Sequence, residues 1–131
     1  MRIENIKFRA KRTDDGAWVY GDLTHVQRIC TKEQTEKSGR RTEPAVRIAN
    51  YNVDEQTIGQ FTGLYDESGR GVYEGDLLSW YDNSLIEVIW HDAGFCYCNT
   101  NNIMPLRYLD VEDRKVIGNI YDNKELLATR I

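Results

Sequence analysis

The stretch "FTGLYDESGRGVYEGDLLSW", residues 61–80, decides the fold that the sequence predicts. Gly69 and Gly71 flank an arginine, and Gly75 precedes an aspartate. A dinucleotide-binding loop needs the spacing Gly-x-Gly-x-x-Gly between a strand and a helix, so that the phosphates meet the helix N-terminus. Here the spacing is Gly-x-Gly-x-x-x-Gly, and "DLLSW" has the pattern of a strand. We therefore interpret the stretch as a tight turn between strands, where glycine accepts positive φ without a steric cost.

The sequence around this stretch predicts a mainly β protein. Apolar residues alternate on both sides of "TDDG", residues 13–16, which predicts an N-terminal β-hairpin within residues 1–30. The segments "SLIEVIW" and "FCYC" around "HDAG", residues 91–94, predict a second hairpin. We expect residues 45–121 to form a small SH3-like or partly open β-barrel.

Two further segments complete the predicted single domain of residues 1–131. Residues 31–44, "TKEQTEKSGRRTEP", contain no apolar side chain to bury, which predicts an exposed loop. Residues 122–131 are expected to form a short helix and tail, because Asp122 with Glu125 three residues later resembles a capping box.

The charge of the chain is unevenly distributed. The net charge is −4, yet residues 28–47 hold six basic and three acidic side chains, a local +3 that leaves −7 elsewhere. Binding to DNA draws on clustered Lys and Arg, so the balance argues against a whole-surface nucleic-acid binder. A weak nucleic-acid-associated factor that uses residues 28–47, with Arg40, Arg41 and Arg47, stays open as an alternative.

Cys96, Cys98 and His91 lie close enough in sequence to suggest part of a zinc site. Structural zinc needs four ligands, and only His25 or Cys30 could complete the set. We favour the interpretation that the cysteines are free thiols acting as small apolar residues, and we predict neither a metal nor a cofactor.

Glu74 and Asp76 could act as a pair of catalytic carboxylates, because residues two apart lie on one face of an extended chain. Carboxylates at the start of a strand more often accept backbone hydrogen bonds, which is the role we predict for Asp76. No nucleophile or metalloprotease motif occurs. We predict a protein that is not an enzyme, with catalysis by these two residues as the least favoured alternative.

The chain is rich in aromatic residues, most of which we expect in the core. Those that reach the surface near arginines could form a platform for a partner, since stacking and cationic charge reinforce each other. The candidate partner-binding residues are Arg40, Arg41, Arg47, Tyr65, Tyr73 and Tyr81. The longest apolar runs are four residues, too short for a membrane span, and no secretory signal is evident, so we expect a cytoplasmic location.

Four segments carry a resemblance to a known family: "IKFRAK", "FTGLYDESGRGVYEGDLLSW", "IEVIWHDAGFCY" and "VIGNIYDNKELL". In this order they resemble the YopX-like family of bacteriophage and prophage proteins. The resemblance implies a small phage-encoded, mainly β protein with a barrel-like C-terminal half, and it implies no established activity. We expect a binding or adaptor module for an unidentified host or phage protein in the host cytoplasm, with homo-oligomers left open.

Overall fold

The computed structural model describes residues 2–129 and confirms a mainly β protein. Twelve strands, one α-helix and six short 3-10 helices are assigned in that range. The chain divides into two compact units. One is Lys7–Ile58, and the other combines Met1–Ile6 with Gly59–Ile131. Residues 45–58, which we predicted to belong to the barrel, therefore lie in the same unit as the N-terminal hairpin.

The Lys7–Ile58 unit contains five strands, all paired antiparallel. They are β1 (Phe8–Lys11), β2 (Trp18–Gly21), β3 (Leu23–Ile29), β4 (Thr42–Ile48) and β5 (Tyr51–Asn52). Strands β1 and β2 form the predicted N-terminal hairpin, whose turn is closed by the N–H of Gly16 donating to the carbonyl of Arg12. Strands β3, β4 and β5 form a sheet in that order. Buried Ala10, Ile48 and Val53 are the centre of this unit's core.

The prediction of a loop over residues 31–44 is wrong, although its prediction of exposure is largely right. Helix α1 (Lys32–Ser38) occupies this segment and buries no residue. It forms because Thr31 and Gln34 make a reciprocal capping box, Glu33 pairs with Lys37 at 3.2 Å, and Gly39 ends the helix in the left-handed conformation. A search for apolar residues overlooks a helix that is held by caps and charge pairs.

The second unit contains seven strands: β6 (Gly59–Tyr65), β7 (Gly71–Tyr73), β8 (Asp76–Ser79), β9 (Leu85–His91), β10 (Gly94–Cys98), β11 (Ile103–Pro105) and β12 (Val116–Asn119). Strands β6 and β7 form a hairpin across the glycine-rich turn. The other five form an antiparallel sheet in the order β11-β10-β9-β8-β12. Hairpin β9–β10 turns at Asp92 and Ala93, both with positive φ, as predicted for "HDAG".

The core of this unit lies on one face of the five-stranded sheet. It consists of Val72, Leu78, Ile86, Val88, Leu106, Leu109, Val111 and Val116, with Trp80, Phe95 and Tyr97 packed against it. Two 3-10 helices, Leu106–Tyr108 and Val111–Asp113, supply Leu106 and Val111, and Leu109 lies between them. The strands of residues 2–129 do not close into a barrel, so the barrel part of the prediction is not confirmed.

The end of the described chain is a 3-10 helix, Lys124–Thr129, in the segment where we predicted a short helix. The turn before it is held by the side chain of Asn119, which accepts hydrogen bonds from the N–H groups of Tyr121 and Asp122. The predicted tail at residues 130 and 131 lies outside the described residues.

Gly75 is a turn residue whose backbone bonds to two other segments of the second unit. Its φ is +94°, its N–H donates to the carbonyl of Val88 at 2.8 Å, and its carbonyl accepts from the N–H of Ile120 at 3.0 Å. Gly75→Ala should lower the free energy of unfolding by about 1 kcal/mol or more, because a Cβ is strained at this φ. Urea unfolding measures the change.

Gly94→Ala is the matched control. Gly94 lies in a strand without positive φ, and a Cβ there would meet open space. Equal unfolding midpoints for Gly75→Ala and the parent protein would contradict a special geometry at Gly75.

Candidate functional site

The glycine-rich turn is organised by the carboxylate of Asp66. Asp66 is 5% exposed and lies at the start of the turn. One of its oxygens accepts the N–H groups of Ser68 and Arg70, and the other accepts the N–H of Val116, each at 2.9 Å. Gly69 has a φ of +80° and donates its N–H to the carbonyl of Asp66 at 3.0 Å. The turn interpretation is confirmed, and the bond from Val116 to Asp66 joins the turn to a segment that is distant in sequence.

The environment of Asp66 favours its ionised form. Burial by itself raises the pKa of a carboxyl group and is the largest single influence here. The backbone N–H donors of Val116, Arg70 and Ser68, together with the positive charge of Arg70, outweigh it and lower the pKa of Asp66 below its usual value. The native state therefore holds a carboxylate whose acceptor capacity is used by the backbone.

Asp66→Asn should lower the free energy of unfolding by about 1–3 kcal/mol near neutral pH, because an amide offers one acceptor oxygen where the carboxylate offers two. A depressed pKa contributes stability that is fully present above the unfolded value of about 3.9 and is lost as pH falls through the folded value. The advantage of the parent protein should therefore shrink below about pH 4.

Denaturant unfolding between acid and neutral pH measures this difference. Asp110→Asn is the control, because Asp110 is exposed and its side chain makes no cap hydrogen bond. A gap between the parent protein and Asp66→Asn that stays constant across this pH range would contradict the charge dependence.

The two candidate carboxylates differ in exposure. Asp76 is fully buried and accepts a hydrogen bond from the N–H of Tyr73 at 2.8 Å, which confirms the backbone role predicted for it. Glu74 is partly buried, and its own N–H donates to the carbonyl of Gln60. Neither carboxylate lines either of two grooves, of about 660 and 350 Å³.

One of the candidate metal ligands, Cys96, lies within the β9–β10 hairpin. Cys96 is buried, with its Sγ 3.7 Å from the carbonyl oxygen of His91 and 3.9 Å from that of Gly94. Among residues 2–129, no three side chains of His, Cys, Asp or Glu are grouped as a metal ion would require. The helices of the same range include none that is long and apolar enough to cross a membrane.

The basic segment pairs part of its charge internally. Arg28 forms an ion pair with Glu43 across strands β3 and β4, Lys37 pairs with Glu33, and Arg47 donates to the carbonyl of Asn50. Arg40 and Arg41 are exposed between α1 and β4. Arg47 is partly buried, and it lies five residues beyond the start of β4, about 17 Å along the strand. The three arginines are therefore spread along an element instead of forming one basic cluster.

The three candidate tyrosines differ in exposure. Tyr65 is half exposed and contacts Phe61 edge-on, with ring centroids 5.5 Å apart. Tyr73 is 6% exposed and also packs against Phe61, with ring centroids 5.2 Å apart. Tyr73 is therefore a core residue, and its prediction as a partner-binding residue is corrected. Tyr81 is 62% exposed and is the most accessible of the three.

Tyr81 belongs to a group that we call the Trp80 cluster: Trp80, Tyr81, Tyr97 and Arg114. The Trp80 ring lies 4.9 Å from the Tyr81 ring and 5.9 Å from the Tyr97 ring. The Arg114 guanidinium lies 4.8 Å from the Trp80 centroid and 4.7 Å from the Tyr81 centroid, and it donates to the Tyr81 hydroxyl at 3.2 Å. Its Nε is buried without a hydrogen-bond partner.

Of the Trp80 cluster, the sequence predicts only Tyr81 as a candidate partner-binding residue. The dipeptide Trp80-Tyr81 directly after β8 is a visible signal, because tryptophan and tyrosine combine an apolar ring with a polar group and are common where a core meets a surface. Arg114 lies more than thirty residues away, so nothing local in the sequence connects it to these rings.

The comparisons with known proteins agree with the motifs. Residues 7–128 match the model of the YopX family, described as YopX protein, so the chain belongs to the YopX family. Among solved structures, the chain is similar to the crystal structure of protein EF1440 from Enterococcus faecalis, with 26% identity and a TM-score of 0.56. That similarity covers 93% of this chain and 97% of the other. No curated protein matches the sequence.

Proposed function

We propose that this YopX-family protein is a phage- or prophage-encoded binding module that docks onto another protein in the host cytoplasm and does no catalysis. Family membership supports the phage-type origin. The observation that carries the proposal is the Trp80 cluster, an aromatic and arginine surface with Tyr81 at its most exposed point.

The composition of the cluster is that of an interface centre. Tryptophan, tyrosine and arginine are the residues that most often dominate the binding energy of protein interfaces. Arg114 is already held by two rings and one hydroxyl, so binding a partner would restrict few additional rotamers. A surface ordered in this way loses little conformational entropy when a partner covers it.

The buried state of Asp76 and the internal ion pairs of residues 28–47 favour protein binding over the alternatives. A catalytic carboxylate must reach its substrate, whereas Asp76 is fully buried and bonded to backbone. Arg28 and Lys37 already pair with Glu43 and Glu33, so two of the six cations of this segment are less available to neutralise phosphates. A net charge of −4 opposes a polyanion further.

Tyr81→Ala should abolish or strongly weaken capture of the partner. Tagged parent protein and variant, expressed in host cells that carry the gene, are compared by affinity purification and quantitative mass spectrometry. Loss of a hot-spot side chain costs about 2 kcal/mol or more, a thirtyfold loss of affinity or greater.

Tyr108→Ala is the matched control. Tyr108 is also 62% exposed with an arginine, Arg107, over its ring, yet no other aromatic ring contacts it in the described residues. A partner that is retained by Tyr81→Ala, or lost equally from both variants, would contradict the proposed surface.

A further inference from the structure

Strand β3 is a seven-residue edge strand whose outer side is open for pairing. It is the first strand of the sheet β3-β4-β5 and pairs with β4 without interruption from Leu23 to Ile29. The N–H of Cys30 donates to the carbonyl of Arg41 at 2.8 Å. In an antiparallel pair, the N–H and C=O groups of successive residues point alternately toward the partner strand and away from it. The even-numbered residues of β3 therefore face β4, while Leu23, His25, Gln27 and Ile29 direct their N–H and C=O groups outward.

The other edge strands of the sheets β3-β4-β5 and β11-β10-β9-β8-β12 have features that limit pairing with a further strand. Strand β5 has two residues, β11 has three and ends at Pro105, and β12 contains a register shift between Val116 and Gly118. Strand β3 has neither proline nor lysine and no register shift. It is thus the edge in these sheets that is least protected against another strand.

The residue order of β3 is complementary to itself. We propose that two copies of this protein pair their β3 strands antiparallel about a two-fold axis at Val26. In this register His25 meets the partner's Gln27 and Leu23 meets the partner's Ile29, both as outward-facing pairs that exchange backbone hydrogen bonds. Ile29, 82% exposed in one copy, then contacts a leucine.

The charges of β3 fit the same register. Arg28 is its one basic residue apart from histidine, and it meets the partner's Thr24 rather than a second arginine. The two Val26 side chains lie opposite each other, so no like charges are juxtaposed. This interface lies in the Lys7–Ile58 unit and uses no residue of the Trp80 cluster, so it stands independently of the proposed partner site.

Sedimentation velocity over about 1 µM to about 1 mM tests the dimer, since an interface of one strand pair is smaller than a standard stable one. The parent protein should pass reversibly from monomer to dimer. Gln27→Pro removes an outward N–H while leaving the β3–β4 ladder in place, and it should remain monomeric throughout.

Thr42→Pro is the matched control, because the N–H of Thr42 faces away from β3 and Pro44 already occupies the same kind of position in β4. It should dimerise like the parent protein. A parent protein that is monomeric at the highest concentration would overturn the proposal, as would a dimer that persists in folded Gln27→Pro.

Charge changes at Thr24 test the proposed β3–β3 register about Val26. This test remains valid even if Gln27→Pro does not fold. Thr24→Glu places a carboxylate opposite the partner's Arg28 and should tighten the dimer, while Thr24→Lys should weaken it. With two symmetric pairs, each change should shift the dissociation constant about two- to thirtyfold, in opposite directions. Equal constants for the two variants would overturn the register at Val26.

Discussion

The carboxylate of Asp66 is the interaction on which the larger unit depends. Its two oxygens accept three backbone N–H groups, two from its own turn and one from Val116, fifty residues later. The last bond fixes the start of β12, whose neighbour Lys115 is joined to Ser79 of β8 through two further hydrogen bonds. A side chain in the β6–β7 turn thus determines where the outermost strand joins the sheet, and Val116 enters the core at that point.

The acidic residues and glycines of the stretch from Phe61 to Trp80 act mainly on the backbone. Asp66 and Asp76 each accept backbone N–H groups where the chain turns, and Gly75 connects the turn to β9 and to the segment after β12. These groups are used for folding, which leaves the surface to other residues. Strand β8 leads directly from Asp76 to Trp80, so the element that is held in the core also positions the Trp80 cluster.

Local patterns predicted the local features of this fold. Gly69, Gly75 and the residues of "HDAG" specify turns through backbone conformation, which any reader of the sequence can recognise, and the ordered motifs identified the family. Helix α1 was missed because its stability comes from Thr31, Gln34 and Gly39 rather than from an apolar face. The burial of Tyr73 and the stacking of Arg114 on Trp80 depend on contacts between distant segments, which no local pattern specifies.

Amide hydrogen exchange at Val116 tests the central role of Asp66 most directly. The N–H of Val116 donates to a side chain rather than to a neighbouring strand, so its protection depends on the Asp66 carboxylate staying in place. Exchange measured by NMR at neutral pH should place Val116 with the slowest amides of the unit, such as that of Gly75, whose N–H is bonded to Val88. Exchange of Val116 as fast as that of exposed turn amides would contradict the account.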